Sequence, residues 1–241
     1  ITVDESTRST KACAFCRSPE SPHGPPVTVC TTVSTLYQHT FDPSFTTASP
    51  DPNWPTIGYF ARMIHGKGLT TLIDAYITLV KRGSVPRLKL LIGGAATPVD
   101  DKYIAEQKAK LKAAGCEARV EWRPNLDFKE KVHFFRDLTV FSVPATYGEA
   151  FGLYVIEAIA SGVPVVEPRH GAFPELIEAT GGGILCEPDN VESLANALES
   201  LLLDGERCDQ LIKNGIANVR ARFSATKMAE DFESILREAI A

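Results

Sequence analysis

The sequence predicts an α/β protein with a doubly wound, Rossmann-like sheet of six parallel strands and with helices at the C-terminal end. Two observations support this fold class. From residue 56 onward, short apolar runs alternate with longer amphipathic segments, which is the pattern of repeated strand and helix units. The short runs are almost continuously apolar, as expected of parallel strands that helices cover on both faces. Sheets of this kind bind ligands beyond the carboxyl ends of their strands, so functional residues are expected in the loops there.

Each predicted strand is a short apolar run, and a helical pattern follows each of them. The strands are predicted at 56–60, 87–92, 119–122, 139–143, 163–166 and 183–186. Apolar residues recur at helical spacing over 67–82, 100–114, 128–137, 152–161, 172–179, 190–203, 205–221 and 224–240. Right-handed crossovers between successive parallel strands then place helices on both faces of the sheet.

The composition is that of an ordinary globular protein. The 241 residues are 44% hydrophobic and 23% charged, and the formal net charge is −5 at pH 7. This balance argues against a nucleic-acid-binding surface, and no apolar stretch approaches the roughly 20 residues of a membrane-spanning helix. The N-terminus lacks the order of a signal peptide, so we expect a cytoplasmic protein, with peripheral association with a membrane left open.

Residues 1–53 are predicted to form an irregular tail or linker, and residues 54–241 the folded domain. Eight of the sixteen prolines lie between Pro19 and Pro55, and the first fifty residues contain seventeen Ser or Thr. A zinc site is the alternative for the tail, because two of its cysteines have the spacing of zinc ligands, although the nearby histidines follow no familiar spacing. The candidate ligands are Cys13, Cys16, His23, Cys30 and His39.

Two cations flank the loop that follows the first predicted strand. Arg62 offers a planar guanidinium and Lys67 a compact ammonium. Together they suit a diphosphate, whose charge has to be held and increases when its bond is cleaved, and an ordinary pair of solvated charges is the alternative. The loop lacks the glycine pattern of dinucleotide-binding dehydrogenases, and the chain has no Walker lysine motif, which argues against those two classes.

The segment 147–164 combines a loop, a helix and a strand, and it contains two glutamates eight residues apart. Glu149 precedes the predicted helix and Glu157 lies inside it, and eight helical steps would leave them about 80° apart around the axis, so that both can face one ligand. Apolar residues flank Glu157, so it needs a partner, either the hydroxyls of a ribose or, alternatively, solvent or a lysine. The helix N-terminus is a predicted anion site, whose unpaired amides are those of Phe151, Gly152 and Leu153.

This segment matches the Glu-x7-Glu motif of retaining nucleotide-sugar glycosyltransferases with the GT-B fold. The chain resembles the large family called glycosyltransferases group 1, or family 4, over residues 56–240. Glycine-containing stretches carry the resemblance further, at 93–94, 162–166, 171–175 and 181–185. It implies that residues 54–241 are the second, donor-binding half of a GT-B architecture. Ala61 and Ala172 depart from the family pattern, in which glycine is common at both positions.

By this resemblance, the two cations hold the donor diphosphate, the first glutamate binds the transferred sugar and the second binds the ribose. The amides at the helix tip and the glycines after the second strand would also line the donor site, and the end of the third strand would hold the base. The implied catalytic residues are Arg62, Lys67 and Glu149. The implied donor-binding residues are Gly93, Arg123, Phe151, Gly152, Leu153 and Glu157.

The reaction that the resemblance implies is transfer of a hexose from a nucleoside diphosphate such as UDP or GDP, with retention at the anomeric carbon. Arg62, Lys67 and the helix amides can stabilise the leaving phosphate, and the chain has no Asp-x-Asp motif for a bridging cation. We therefore expect no catalytic metal and no cofactor.

The resemblance also implies a missing part. In this fold the acceptor binds to a separate N-terminal domain of on the order of 100–150 residues, and only about fifty irregular residues precede the donor domain here. We therefore expect the chain to bind a nucleotide sugar but to transfer it poorly by itself to an acceptor that the sequence does not identify. Because the chain begins with Ile1, it is open whether it is a fragment. Two alternatives are a non-catalytic nucleotide-binding or interaction module on the same fold, and a sugar-nucleotide epimerase.

Overall fold

The computed structural model describes residues 48–240, and the candidate zinc ligands of the tail lie outside these described residues. The strands of the described part are β1 (Thr56–Phe60), β2 (Lys89–Gly94), β3 (Val120–Pro124), β4 (Val140–Phe141), β5 (Val165–Pro168) and β6 (Gly183–Cys186). Its α-helices are α1 (Leu69–Arg82), α2 (Asp101–Ala113), α3 (Phe128–Arg136), α4 (Leu153–Ala160), α5 (Phe173–Thr180), α6 (Val191–Leu203), α7 (Gly205–Arg222) and α8 (Ala225–Ile240).

The strands of the described part form one sheet with the order β3-β2-β1-β4-β5-β6. All neighbouring strands are parallel, which confirms the predicted doubly wound sheet. The strand order reverses between β1 and β4, so the loops after these two strands leave the sheet at a topological switch point, where folds of this kind open a crevice. Arg62 and Lys67 follow β1, and Glu149 follows β4. The switch point therefore gathers the three predicted catalytic residues.

Helices that cover the sheet present an apolar stripe to it. In α1 the large, fully buried side chains recur at helical spacing, at Leu69, Leu72, Ile73, Tyr76 and Leu79. Aromatic rings pack α3 against the sheet, with 5.2 Å between the ring centroids of Phe60 and Phe134 and 5.4 Å between those of Phe135 and Phe141. This packing fixes the strand ends from which the crevice loops depart.

Some strand boundaries differ from the predicted ones because backbone partners change. β2 begins at residue 89 instead of 87, since Arg87 adopts a left-handed φ of 58° in the preceding turn. β4 has 2 residues instead of five, because the amide of Val143 donates to the side chain of Glu167. β5 begins at residue 165 instead of 163, because the amide of Val163 donates to the carbonyl of Ala158 at the end of α4.

Residues 48–53 contain no helix or strand, but they contact the domain. The amides of Ala48 and Ser49 donate to the carbonyls of Ser161 and Arg136 at 2.9 and 3.3 Å. The domain boundary predicted between residues 53 and 54 stays a prediction. None of the helices in the described part of the chain is long and apolar enough to cross a membrane.

Candidate active site

Backbone contacts fasten the loop after β1 to the loop after β4. A single 3₁₀ turn, His65–Lys67, ends at Gly68, whose φ of 72° lies in the left-handed region. A Cβ atom at Gly68 would lie 1.7 Å from the carbonyl oxygen of Pro144, so only glycine allows this approach. The amide of Thr146 donates to the carbonyl of Gly66 at 3.0 Å. The turn is therefore held directly against the loop that carries Glu149.

Lys67 and Glu149 form the centre of the crevice. The Lys67 ammonium donates to Oε2 of Glu149 at 2.5 Å, and the Tyr154 hydroxyl donates to the same oxygen at 2.7 Å. The side chains of Lys67 and Glu149 are 16% and 13% exposed, so solvent reaches the pair only in part. Lys67 also lies 5.1 Å from the ring centroid of Tyr147. Both side-chain hydrogen bonds use Oε2 of Glu149 and leave Oε1 without a side-chain donor among the described residues, and the amide of Ala150 also donates to this carboxyl group.

Opposing effects set the ionisation of this pair. Burial by itself would raise the pKa of Glu149, but the hydrogen bonds from Lys67 and Tyr154 bring it below its ordinary value. Burial would lower the pKa of Lys67, but the hydrogen bonds to Glu149 and Tyr147 bring it above its ordinary value. Both groups are therefore charged at neutral pH. A ligand that enters the crevice meets a full positive and a full negative charge.

A second carboxyl group, that of Glu167, is buried at the end of β5. It is 0% exposed, and the amide of Val143 donates to its two oxygens at 3.1 and 3.4 Å. Burial raises the pKa of Glu167 well above its ordinary value, and the charge of Glu149 raises it further, against the opposing effects of the Val143 amide and Lys67. The structure thus favours a neutral, protonated acid next to the charged pair.

Glu157 pairs with Lys131 of α3. The ammonium donates to Oε1 of Glu157 at 2.7 Å, and the two side chains are 14% exposed for the lysine and 9% for the glutamate. Of the partners considered from the sequence, the structure shows the lysine. The ion pair joins α3 to α4 and fixes the direction of the glutamate.

The relation between the two glutamates differs from the prediction. Gly152 has a left-handed φ of 81°, and α4 begins only at Leu153, so Glu149 lies in a loop and no helical angle relates it to Glu157. Tyr154 links them instead, because it binds Glu149 and lies three residues before Glu157 on α4, where side chains at this spacing share a face. Both carboxylates therefore border the first turns of α4.

Backbone amides at the N-terminus of α4 lack a hydrogen-bond acceptor within the described residues. Among residues 48–240, no acceptor takes the amide hydrogens of Phe151, Gly152 or Leu153. Gly152 lets the chain turn into the helix close to α5, since a Cβ there would lie 3.3 Å from the ring of Phe173. These amides are the donors that the sequence predicts for an anion, and anion binding by them stays a prediction.

Arg62 and Gly93 lie on the β1 and β2 side of the switch point. The Arg62 side chain is 52% exposed, and its guanidinium lies 3.5 Å from Oδ1 of Asp100, so it stands at the rim of the crevice. Gly93 is buried at the end of β2, and a Cβ there would lie 2.7 Å from the ring of Phe60 and 2.8 Å from that of Phe134. The structure therefore gives this glycine a packing reason in addition to the predicted one.

Arg123 lies apart from the crevice pair. It belongs to β3 at the edge of the sheet, and its guanidinium donates to Glu121 at 2.7 Å and to Asp137 at 3.0 Å. These residues line a separate cavity of about 470 Å³ together with Trp54 and Lys89. The structure thus does not bring the Arg123 side chain to the other predicted residues. Within residues 48–240, no group of three or more His, Cys, Asp or Glu side chains could hold a metal ion, and the expectation of a metal-free reaction stays a prediction.

Gly171, after β5, supports the backbone of Glu149. It has a left-handed φ of 58°, and a Cβ there would lie 2.6 Å from the amide nitrogen of Glu149. We expect Gly171→Ala to lower the free energy of unfolding by about 2 kcal/mol, because the left-handed conformation costs a non-glycine residue roughly 1–2 kcal/mol and the contact adds to this. Urea denaturation measures the change. Gly83→Ala is the matched control, since Gly83 has a φ of 70° with open space around it, and equal losses would contradict the contact.

Three residues of this region were not predicted from the sequence: Lys131, Tyr154 and Glu167. A signal existed for Glu167, because it directly follows the strand predicted at 163–166, and a carboxylate at that place lies at the carboxyl edge of the sheet. A signal also existed for Tyr154, three residues before Glu157. Lys131 gave none, because it is one of several lysines in the sequence around α3.

The fold places the protein in a structural class. Its Rossmann-like α/β domain has a fold that GT-B glycosyltransferases contain, and structural neighbours of that kind confirm the predicted fold class. The chain belongs to the family of glycosyl transferases group 1, whose family model matches residues 45–218. The resemblance found in the sequence is therefore confirmed.

Relatives and solved structures agree with this membership. The lipopolysaccharide core biosynthesis mannosyltransferase LpsB of Rhizobium meliloti strain 1021 is 30% identical over 195 residues, which are 78% of this chain and 54% of that protein. The C-terminal domain of a group 1 glycosyl transferase, LpcC of Francisella tularensis, matches with a TM-score of 0.64 and 26% identity over 80% of this chain and 94% of that one. Anabaena Alr3699/HepE, solved with UDP and glucose, has a TM-score of 0.72 and 23% identity over 82% of this chain and 55% of its own. The chain spans about half the length of the curated relatives it matches.

Proposed function

We propose that the crevice binds a nucleoside diphosphate sugar and that the chain is the donor-binding half of a retaining glycosyltransferase. The observation that carries this proposal is the Lys67–Glu149 pair at the switch point, with 2.5 Å between ammonium and carboxylate. A ligand that joins an anion to a group rich in hydroxyls satisfies both partners at once. The diphosphate takes the ammonium, and the hydroxyls of the attached sugar donate to the carboxylate.

The crevice cations then act on the leaving group. During transfer, the bond between the anomeric carbon and the diphosphate oxygen breaks, and its electron pair stays on the diphosphate. The acceptor oxygen bonds to the anomeric carbon on the face that the diphosphate has left, and its proton passes to the departing diphosphate oxygen. Arg62, Lys67 and the amides at the N-terminus of α4 stabilise the charge that grows on the leaving phosphate. We propose that these groups supply the positive charge for which other transferases use a metal ion.

Glu157 is proposed to bind the ribose. A carboxylate offers about four lone-pair directions, and Lys131 occupies one oxygen, so the ribose hydroxyls can donate to Glu157 while the ion pair persists. The pairing with Lys131 supports this role, because it holds the carboxylate in one direction before the nucleotide arrives.

The acceptor is proposed to bind to a part of the enzyme outside this chain. The chain covers 94% of the LpcC C-terminal domain but 54% of LpsB. Transfer by this chain alone is therefore expected to be slow, while binding of the donor is expected to be retained.

Calorimetric titration tests the proposal. UDP-glucose is the first probe, because Alr3699/HepE was solved with UDP and glucose, and GDP-mannose is the second. We expect Lys67→Met to weaken binding of whichever donor the wild type binds by about tenfold to a hundredfold, since hydrogen bonds to charged groups contribute roughly 1.5–3 kcal/mol.

Lys110→Met is the matched control. Lys110 makes an ion pair of 2.8 Å with Asp74 between α1 and α2, so this variant loses a lysine pair of similar length outside the crevice. It should bind the donor as the wild type does. Binding that survives Lys67→Met without loss would place the donor elsewhere, and a wild type that binds neither donor would refute the proposal.

A further inference from the structure

Tyr154 is the first side chain of α4 that reaches the crevice, and the reaction proposed above gives it no role. Its hydroxyl donates to Oε2 of Glu149 at 2.7 Å. Its ring packs between Phe141 and Phe173, with centroid separations of 6.2 and 6.5 Å. The ring is thus fixed by β4 and α5, and the hydroxyl is held at one point at the edge of the crevice.

The hydroxyl of Tyr154 shares its acceptor with Lys67. The Lys67 ammonium reaches the same Oε2 atom at 2.5 Å, so in the free chain two donors hold one oxygen of Glu149. A diphosphate that enters the crevice draws the ammonium toward itself, because it carries more negative charge than a single carboxylate. After this exchange, Tyr154 is the side chain that still holds Oε2.

Glu149 needs such support because the helix does not order it. It lies in the loop before α4, and a glutamate side chain loses much of its rotamer freedom when it is fixed. If the carboxylate were free to turn after Lys67 leaves, the bound sugar would have to order it. Because the Tyr154 hydroxyl already holds the carboxylate by a hydrogen bond, the sugar does not have to order it.

We propose that Tyr154 is a positioning residue that keeps Oε1 of Glu149 directed at the donor sugar while Lys67 binds the diphosphate. This inference rests on the proposed function of the crevice. It assigns Tyr154 to recognition of the sugar and not of the nucleotide. Loss of the Tyr154 hydroxyl should therefore change the affinity for the nucleotide sugar but not the affinity for the nucleoside diphosphate.

The hydroxyl of Tyr154 stays a donor in the folded protein. Burial raises the pKa of Tyr154 far above its ordinary value, and the nearby carboxyl groups of Glu167 and Glu149 raise it further. The phenol therefore keeps its proton at any pH at which the crevice binds a ligand.

The test compares a nucleoside diphosphate with its sugar conjugate on the full chain. Affinities for UDP and UDP-glucose, and for GDP and GDP-mannose, are measured by calorimetry for the wild type and for Tyr154→Phe. The ratio of the two affinities within a pair gives the contribution of the sugar. We expect Tyr154→Phe to leave the affinity for the diphosphate within twofold. We expect it to reduce the sugar contribution by about fivefold to tenfold, the effect of losing one typical hydrogen bond, because Tyr154 acts on the sugar only through Glu149.

Tyr76→Phe is the matched control, since it also removes a buried tyrosine hydroxyl, which donates to the carbonyl of Leu88 at 3.2 Å. It should leave both affinities unchanged. An equal loss for the diphosphate and the conjugate in Tyr154→Phe overturns the inference, because it shows a general structural role, and so does an unchanged ratio. A wild type that binds a diphosphate but gains nothing from the sugar also overturns it while the nucleotide site stands. A wild type that binds none of the probes overturns the proposed function and the inference together.

Discussion

Lys131→Met is expected to lower the free energy of unfolding by about 3 kcal/mol, because removing one partner of a buried ion pair leaves the other charge without compensation. The affected charge is that of Glu157, whose side chain is 9% exposed and which is bound by the Lys131 ammonium at 2.7 Å. Methionine keeps the length and the apolar stem of the lysine, so packing between α3 and α4 changes little. Urea denaturation at pH 7 measures the loss.

Two further variants isolate the ion pair. Lys129→Met changes an exposed lysine on the same helix and is expected to stay within about 0.5 kcal/mol of the wild type. The double variant Lys131→Met/Glu157→Met is expected to recover most of the stability, since apolar residues of similar volume replace such pairs at little cost. If the double variant is as unstable as Lys131→Met alone, the loss comes from packing and not from the unpaired carboxylate.

Glu167→Gln is expected to change the pH dependence of stability. The wild-type carboxyl group is fully buried, and its pKa in the folded chain is raised well above the ordinary value of about 4.3. Below that ordinary value, both the folded and the unfolded chain carry the proton, and the contribution of the group to stability is complete. As the pH rises, the unfolded chain releases the proton first, so stability falls until the pH passes the raised pKa.

Glutamine does not titrate, so the variant lacks this loss. The difference in unfolding free energy, variant minus wild type, should increase between pH 5 and pH 8, with a slope of at most about 1.4 kcal/mol per pH unit. Any fixed cost of burying the glutamine amide changes the difference in unfolding free energy by the same amount at every pH, so the slope of this difference against pH does not change. The charged and titratable groups that act on Glu167 are Lys67, Glu149, Tyr154 and Cys186, and all of them are retained in the variant.

Glu178→Gln is the matched control for this experiment. Glu178 is exposed on α5, and its loss should leave the slope against pH at zero. A flat difference for Glu167→Gln as well would mean that the buried carboxyl group is ionised in the folded chain at neutral pH, contrary to the burial and to the single backbone donor that it has.

The architecture followed from the sequence because strand runs and helical stripes are local patterns. The parallel order of the strands and the crevice at the switch point follow from connection rules that hold for the whole fold class. Positions that depend on one backbone torsion were less predictable. The helix with Glu157 was predicted to begin at residue 152, and it begins at Leu153 because Gly152 turns with a left-handed φ of 81°, which periodicity does not reveal.

The partners of the two glutamates could not be predicted for a different reason. The apolar neighbours of Glu157 predicted that it has a partner, but they did not identify the partner. Lys131 lies 26 residues earlier on another helix, and nothing in the sequence distinguishes it from a solvated lysine. Tyr154 lies in an apolar helix, where a tyrosine ring is expected to pack. Only the distance of 2.7 Å between its hydroxyl and Oε2 of Glu149 shows that the hydroxyl makes a specific hydrogen bond. Contacts of this kind depend on how helices are placed around the sheet, which periodicity does not specify.

The pairing of acids with cations around the crevice affects which solutes can occupy it. Lys67 is matched by Glu149, Lys131 by Glu157, and Arg62 lies next to Asp100. Inorganic phosphate can bind only the cation of such an ion pair, and free glucose only the carboxylate. Each of them leaves the other charged group without a partner. A molecule that carries both an anionic group and hydroxyl groups can bind both members of the pair. If the crevice binds a nucleotide sugar as proposed, we therefore expect this mutual neutralisation of acids and cations to select against small anions and free sugars.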